Sequence, residues 1–276
     1  EHHIKIWEVA TGRLLTTLKG HQQRVWGRID WSSDGQRLAS GCEDYTIRIW
    51  DANTGRCLNV LKDIENLENR IRSVLFLADE YGNETQLISG STSENIIQIW
   101  DLENGQCLKS LTGHNSGILS LALSADRKLL FSGSADRTIK LWNIETGQCI
   151  KTFHGHVNRI WSIDISPDDQ YLAIASADHT LRIWSTVTEE CLRVLKGFAG
   201  RILSVAFNAH EPILASGSDD QMLRLWDIRS GRCIKTLKGY SQGIWTAAFS
   251  PDGNTLASGG VEGIIRIWDV NKGILL

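Results

Sequence analysis

Hydrophobic and polar residues alternate in short segments that recur along the whole chain. Segments such as YTIRIWD, RTIKLWN and HTLRIWS carry an apolar residue at every second position and close on a tryptophan. A period of two is expected of a strand that has one face against a core. The chain is therefore predicted to consist of β-strands.

The tryptophans that close these segments define a repeat. Successive spacings are 43, 50, 42, 42, 42 and 42 residues, between Trp7, Trp50, Trp100, Trp142, Trp184, Trp226 and Trp268. In one unit the strand-like runs read GILSLALS, KLLFSGS, RTIKLW and GQCIKTF, separated by stretches rich in Gly, Asp, Asn and Ser. Such stretches suit tight turns, so each unit is predicted to be a sheet of four antiparallel strands.

These units resemble those of the WD-repeat, or β-transducin-like, family over essentially the whole chain. The marks of the resemblance are a Gly-His pair upstream and a Trp-Asp pair at the end of the third strand, present here as Gly20-His21 with Trp50-Asp51. Degenerate copies are Gly113-His114 with Trp142-Asn143, and Gly155-His156 with Trp184-Ser185. The resemblance implies an all-β propeller of four-stranded blades. Seven blades are expected, since six units hold first to third strands and one is partial.

Both ends of the sequence fall inside a unit. The opening EHHIKIW aligns with DHTLRIW at residues 178–184, and the chain stops at KGILL within an outer strand. We therefore expect residues 1–276 to be a single propeller domain from a longer multidomain protein. The outer strand RLLTTL at residues 13–18 has two alternative places, in the final blade or beside its own third strand.

The family resemblance also implies a hydrogen-bonded set of His, Ser or Thr, Asp and Trp inside each blade. Two units match throughout, with His21, Ser40, Asp44 and Trp50, and with His114, Ser132, Asp136 and Trp142. A third has His156, Asp178 and Trp184, but Ile174 in place of the serine. Phe198 and Tyr240 replace the histidine in the next two units, which we expect to rely more on packing.

A hydroxyl, an imidazole and a carboxylate are also the parts of a nucleophilic triad. These sets recur at the repeat period with a tryptophan attached, whereas a hydrolase needs only one copy. We therefore predict that they satisfy buried polar groups and fix the turn between the second and third strands. No catalytic or cofactor-binding residue is assigned, and the chain is predicted not to be an enzyme.

Cysteine and histidine positions suggest neither disulfides nor a metal. Equivalent places on neighbouring outer strands are too far apart for a disulfide, and they hold Cys57, Cys107, Cys149, Cys191 and Cys233. Free thiols packed as small apolar groups are expected, and with Cys42 also unpaired they fit a reducing compartment such as the cytoplasm. His154 and His156 form a His-x-His pair without accompanying ligand spacing, so no metal site is assigned.

The family resemblance places the Gly-His loop and the turn after the second strand on one face, around the mouth of a central channel. Arginine and tryptophan recur there, and both are enriched at binding hot spots. The candidate partner-binding set is Arg24, Trp26, Arg70, Arg72, Arg159, Trp161, Arg201 and Trp245, with Phe198 and Tyr240 added at the rim. The alternative is that the tryptophans pack against neighbouring strands and the arginines form a solvated edge.

Charge and hydropathy narrow the choice of partner. Lys and Arg number 29 against 32 Asp and Glu, a net charge of -3 that does not favour nucleic acid. Apolar runs fall short of the roughly 18 to 20 residues that cross a bilayer, so no membrane span is expected. Two insertions, at residues 62–70 and 78–85, are expected to add acidic character on opposite faces.

The leading hypothesis is a non-catalytic, protein-binding scaffold or ligand-sensing platform within a larger signalling protein. The close similarity of units such as TGRCL and TGQCIKTF resembles the repeat arrays of bacterial, especially cyanobacterial, signalling proteins. The partner would be a protein, a peptide or flanking domains of the same chain. Alternatives are a structural or autoinhibitory spacer array, and an enzyme at the channel mouth, for which these positions lack convergent carboxylates or histidines.

Overall fold

The computed structural model describes residues 2–62, 69–79 and 81–276, and these residues form strands joined by turns. Most of the first predicted acidic insertion, residues 63–68, lies outside the described residues. Within the described ranges no helix is long and apolar enough to cross a membrane. The predicted all-β class is confirmed.

The described strands form six four-stranded antiparallel sheets and one two-stranded sheet. In every four-stranded sheet, neighbouring strands are consecutive in the chain, so each sheet is a meander. Each sheet corresponds to one sequence unit, as the tryptophan spacing predicts. The number of blades in a closed propeller stays a prediction.

The chain divides into two compact units. The first consists of residues 1–121, 127–136 and 140–152. Its complete strands in chain order are β1 (Ile4–Trp7), β2 (Leu14–Leu18), β3 (Asp30–Trp31), β4 (Arg37–Gly41), β5 (Thr46–Asp51), β6 (Cys57–Lys62), β7 (Ile71–Leu77), β8 (Gln86–Ser91), β9 (Ile97–Asp101) and β10 (Cys107–Leu111). The next sheet, with residues in both units, contains β11 (Ile118–Leu123), β12 (Leu129–Ser134), β13 (Ile139–Asn143) and β14 (Cys149–Phe153).

The second unit consists of residues 122–126, 137–139 and 153–276. Its three complete sheets contain twelve strands. They are β15 (Ile160–Ile165), β16 (Tyr171–Ser176), β17 (Leu181–Ser185), β18 (Cys191–Leu195), β19 (Ile202–Phe207), β20 (Ile213–Ser218), β21 (Leu223–Asp227), β22 (Cys233–Leu237), β23 (Ile244–Phe249), β24 (Thr255–Gly260), β25 (Ile265–Asp269) and β26 (Ile274–Leu275).

The core of each unit lies between successive sheets. Second strands are buried along most of their length, as in β16, where five of six residues are buried. Small side chains such as Ala173 and Ala175 let the next sheet approach, and Val205 and Trp226 pack against them. Burial on both faces explains why second strands read as continuous small and apolar runs, while third strands alternate.

A bulge joins the third and fourth strands at the repeat tryptophan. Trp184 faces Cys191 while Ile183 faces Arg193, so the fourth strand carries one extra residue. Four of the repeat cysteines are exposed, Cys57, Cys107, Cys149 and Cys233. All six cysteines are free, but the expectation that they are packed as apolar groups is wrong for these four.

The outer strand at residues 13–18 stays with its own third strand. Leu14–Leu18 pairs antiparallel with Ile4–Trp7. Ile4 and Ile6 then pack against a buried cluster that includes Leu38 and Trp50 of the following sheet. This packing decides between the two places that the sequence left open.

One first strand is much shorter than the others. Strand β3 has two residues, whereas β15 and β19 have six. The segment before β3 instead runs alongside β7, where Arg28 donates its backbone N–H to the carbonyl of Arg72 at 3.1 Å. A Cβ atom on Gly27 would lie 1.5 Å from that carbonyl oxygen, so only glycine permits the approach.

A buried carboxylate ties the turns of three sheets in the first unit. Glu84 is 8% exposed and accepts the backbone N–H of Ser33 at 3.0 Å. The guanidinium groups of Arg37 and Arg127 lie 3.6 Å and 3.5 Å from it. The expectation that the insertion at residues 78–85 adds surface acidity is therefore wrong for Glu84, because two arginines and an N–H group enclose its charge.

We predict that Glu84→Gln lowers the free energy of unfolding by about 1–3 kcal/mol, because the two arginines lose their counter-charge. Denaturant unfolding followed by circular dichroism measures the change. Glu103→Gln, in an exposed turn, is the control and changes stability by less than about 0.5 kcal/mol. Equal stability of the two variants would contradict this role for Glu84.

Candidate functional site

The two complete sets form continuous hydrogen-bonded chains inside their sheets. His21 Nδ1 lies 2.9 Å from Asp44 Oδ2, and its Nε2 lies 2.8 Å from Ser40 Oγ. Trp50 donates its indole N–H to the same Ser40 oxygen at 2.8 Å. The corresponding distances are 2.7, 2.8 and 2.8 Å in the set of His114, Asp136, Ser132 and Trp142. An imidazole protonated at Nδ1 satisfies every polar group in the chain.

Hydrogen bonds hold the turn aspartates in the ionised form. Burial by itself raises the pKa of Asp44, but hydrogen bonds from His21, from Thr46 and from the backbone N–H of Gln22 outweigh burial and bring the pKa well below its usual 3.8. The same balance lowers the pKa of Asp178. These carboxylates are acceptors that fix the turn between the second and third strands.

The geometry of these sets does not suit a nucleophile. Ser40 and Ser132 are both 0% exposed, and each oxygen already accepts an indole N–H. A substrate carbonyl has no approach to a hydroxyl in that position. The Ser, His and Asp groups therefore stabilise the sheets, as the sequence repeat predicts.

The sheet that lacks the serine keeps only half of its chain. His156 Nδ1 lies 2.7 Å from Asp178 Oδ2, but Ile174 fills the space where a serine hydroxyl would lie. Among the described residues, the buried Nε2 of His156 and the buried indole N–H of Trp184 have no hydrogen-bond partner. One substitution thus leaves two buried polar atoms unsatisfied, each at a cost of about 1–3 kcal/mol.

We predict that Trp184→Phe costs about 1–2 kcal/mol less stability than Trp142→Phe. Trp142 is fully buried and loses a hydrogen bond, whereas Trp184 is partly buried and its change removes an unsatisfied N–H group. Denaturant midpoints of the two variants test the difference. A larger loss at Trp184 would mean that packing against Phe153 outweighs the hydrogen bond.

Phe198 and Tyr240 are interior residues, each 8% exposed. The Phe198 ring packs 5.3 Å from Trp226, and the Tyr240 hydroxyl bonds to Ser258 and accepts the indole N–H of Trp268 at 3.1 Å. Their expected contribution to a partner-binding rim is therefore wrong, because the rings replace the histidine inside the sheet. Tyr240 also continues the polar chain, so packing alone does not describe its sheet.

Arginines complete the two sheets in which Phe198 and Tyr240 replace the histidine. Arg224 lies 2.9 Å from Asp220, and Arg266 lies 2.8 Å from Glu262. Each guanidinium also stacks on the substituted ring, 4.9 Å from Phe198 and 4.4 Å from Tyr240. The sequence analysis did not predict these ion pairs. In both sheets an arginine stands four residues after the turn carboxylate, and this spacing could have indicated them.

We predict that Asp44→Asn and Asp178→Asn each flatten the loss of stability below about pH 4. Both carboxyls have folded-state pKa values below the usual 3.8, so their stabilisation is complete above that pH and is lost as the pH falls. Thermal unfolding between about pH 6 and pH 2 measures the slope. Glu145→Gln, at an exposed turn, serves as the control and keeps the wild-type slope.

One cluster among the described residues has ligand atoms close enough for a metal. His21, Cys42 and Asp44 bring theirs within 4.8 Å of one another. Burial raises the pKa of the Cys42 thiol to about 11, and its sulfur lies 3.3 Å from the carbonyl oxygen of Gln23. The cluster is better explained as a thiol and a hydrogen-bonded His-Asp pair than as a metal centre.

Tryptophan and arginine converge in the first unit as the sequence predicts. The guanidinium of Arg24 lies 5.6 Å from the Trp26 ring, and that of Arg72 lies 5.9 Å from the same ring. Desolvation lowers the pKa of Arg72, and the carboxylate of Glu43 counteracts that shift. Arg24 and Arg70 are exposed.

The second unit repeats the motif with an acidic partner. Arg201 lies 5.9 Å from the Trp161 ring and donates to Asp219 at 2.5 Å. Arg159 is exposed, and Trp245 is 42% exposed in strand β23. The arginine-tryptophan contacts of the second unit therefore carry a compensating charge.

The candidate positions share one place in their sheets. In each of these sheets a residue upstream of the first strand accepts a backbone N–H from the turn after the second strand. The acceptor carbonyls belong to Arg24, Arg70, Gly117, Arg159, Arg201 and Gly243. Where this residue is an arginine, it therefore lies beside the turn after the second strand of its own sheet.

The family model described as WD domain, G-beta repeat matches residues 12–51, 105–143, 147–185, 189–227 and 231–269, more than half of the chain. Each matched segment runs from the fourth strand of one sheet to the third strand of the next. Residues 52–104, which contain both insertions, lie between matched segments. The chain matches none of the curated proteins.

Proposed function

The chain belongs to the WD-repeat family, and on that premise we propose that it captures a protein or peptide partner through Arg24, Trp26, Arg70, Arg72, Arg159, Trp161, Arg201 and Trp245. WD repeats generally mediate protein interactions and scaffolding, and the family is typically non-catalytic. Capture at these residues is the specific proposal for this chain. Phe198 and Tyr240 are left out of the set because they are buried.

The arrangement around Trp26 supports the proposal most directly. The guanidinium groups of Arg24 and Arg72 lie 5.6 and 5.9 Å from the half-buried indole of Trp26, and Arg24 is exposed beside it. Rigid aromatic and guanidinium groups of this kind lose little conformational freedom on binding. A partner that contacts these groups therefore meets side chains that are already in place.

Exposure of Trp245 supports the same proposal in the second unit. At 42% exposure it offers apolar area that its own sheet does not cover. Arg201 is held by Asp219, so its donors are oriented before a partner arrives. The two units thus present similar residue types, each with an acidic group nearby, Glu43 in the first and Asp219 in the second.

The wider setting of this function is also a proposal. The six free cysteines fit a reducing compartment such as the cytoplasm. Unit-to-unit similarity supports a sensor or scaffold within a larger signalling protein, whose flanking domains are alternative partners. A spacer array with no ligand of its own remains the competing function.

We predict that Trp26→Ala and Trp245→Ala each weaken capture of a specific partner by at least about tenfold, because hot-spot truncation costs about 2 kcal/mol or more. The measurement is affinity capture from lysate of the source cells with quantitative mass spectrometry, followed by titration with the purified partner. Trp31→Ala is the matched control, because Trp31 is 44% exposed but lies outside the set.

Circular dichroism first establishes that each variant is folded. Capture that is equal in all three variants would contradict the proposed site and direct attention to another surface. The absence of any enriched protein with the wild type would favour the spacer array.

A further inference from the structure

A cavity of about 310 Å³ lies within the second unit, at the end of the sheets away from the arginines and tryptophans. The turn between β15 and β16, the connection between β19 and β20 and the start of the turn after β21 form its walls. The lining residues are 166–168, Tyr171, 207–212, Ile228 and Arg229. This volume suits a small ligand.

At two other places in the chain, a backbone N–H in the turn after a first strand bonds to a carboxylate of the next sheet. This hydrogen bond is missing at the cavity. In the first unit Ser33 donates its backbone N–H to the carboxylate of Glu84 in the next sheet, and in the second unit Ala125 donates to Asp169 at 2.9 Å. By repeat position, Pro167 replaces the donor at the cavity, and Glu211 replaces Asp169. Proline has no N–H group.

Glu211 therefore lacks the backbone N–H donor that Glu84 and Asp169 have. Its backbone N–H bonds to Asn208, but among the described residues its carboxylate has no hydrogen-bond or ion-pair partner. The side chain is exposed on the wall of the cavity. An N–H or ammonium group of a ligand would occupy the place of the missing backbone donor.

The wall that carries Glu211 departs from the repeat and is held rigidly. Four other turns begin with a serine hydroxyl bonded to an aspartate two residues later. Here Asn208 donates to the carbonyl of Gly253 at 2.8 Å, and His210 Nε2 lies 3.0 Å from the carbonyl of Pro251. These bonds to the next sheet fix the connection without using the carboxylate.

An arginine that is specific to this unit completes the cavity. Arg229 stands where the other units have Asn53, Glu103, Glu145, Val187 and Asn271. Its carbonyl accepts a bond from Arg193. Its guanidinium is exposed and forms no salt bridge among the described residues, although hydrogen bonds from Ser230 and the charge of Arg229 together lower the pKa of Asp227. The substitutions that distinguish this sheet from the others thus meet at one cavity and supply one negative and one positive group.

We propose that this cavity binds a free amino acid as its zwitterion, with the ammonium group at Glu211 and the carboxylate at Arg229. Tyr171 and Ile228, packed on the buried core beneath, provide the apolar wall for the ligand side chain. Because both charged groups are exposed, the ion pairs are screened and binding is weak, with a Kd of about 0.1–1 mM.

Saturation-transfer difference NMR on the full chain tests this proposal, with each proteinogenic amino acid as the probe at about 2 mM. We expect at least one amino acid to bind. Glu211→Gln and Arg229→Gln each weaken the affinity for that amino acid by at least about fivefold, because each removes one charge-assisted contact. Arg229→Lys, which keeps the positive charge, weakens it less. Glu145→Gln, at the position of Arg229 in another sheet, leaves binding unchanged.

Derivatives of the same amino acid separate the zwitterion from other ligands. N-acetylation removes the ammonium group and methyl esterification removes the carboxylate, and each is expected to abolish the signal. The proposal is overturned if no amino acid binds, if both Gln variants bind as the wild type does, or if the acetylated ligand binds equally. Trp26→Ala leaves this binding unchanged, so the result is independent of partner capture.

Discussion

The bond from the repeat tryptophan to a serine hydroxyl on the neighbouring strand is the interaction on which the sheets depend. It occurs in five of the six four-stranded sheets, at 2.8 to 2.9 Å, and joins the third strand to the second. The large indole fills the space between sheets, while its one polar atom needs a partner that a buried strand rarely offers. A small hydroxyl meets this need without reducing the close packing of the second strand.

The polar side chains next to the Trp–Ser hydrogen bond differ from sheet to sheet more than the bond does. A His-Asp pair extends it in two sheets, and a tyrosine with an Arg-Glu pair does so in another. Where Ile174 replaces the serine, the His-Asp pair persists although the bond is lost. The need for a hydrogen-bond partner to the tryptophan is therefore met within each sheet separately. The sheet with Ile174 lacks this bond, while the other four-stranded sheets keep it.

The two ends of the sheets are open to different chemistry in the second unit. Arginine and tryptophan lie where the first strand begins, beside the turn that carries the acidic residue. The cavity lies where the first strand ends, because a proline and a glutamate have replaced a contact between successive sheets. At the cavity, several departures from the common pattern fall together in one sheet, whereas the arginines and tryptophans at the other end recur from sheet to sheet.

The sequence by itself determined the β class, the four-stranded units and the turns, which follow from a period of two and a repeat near 42 residues. The membership of the hydrogen-bonded sets came from the resemblance to the WD-repeat family. Only the tertiary structure decided that residues 13–18 pair with Ile4–Trp7, that Phe198 and Tyr240 point inward, and that two arginines enclose Glu84. Each of these outcomes depends on contacts between residues that are distant in the chain. A local sequence pattern does not show how much room a side chain has or which charges lie beside it.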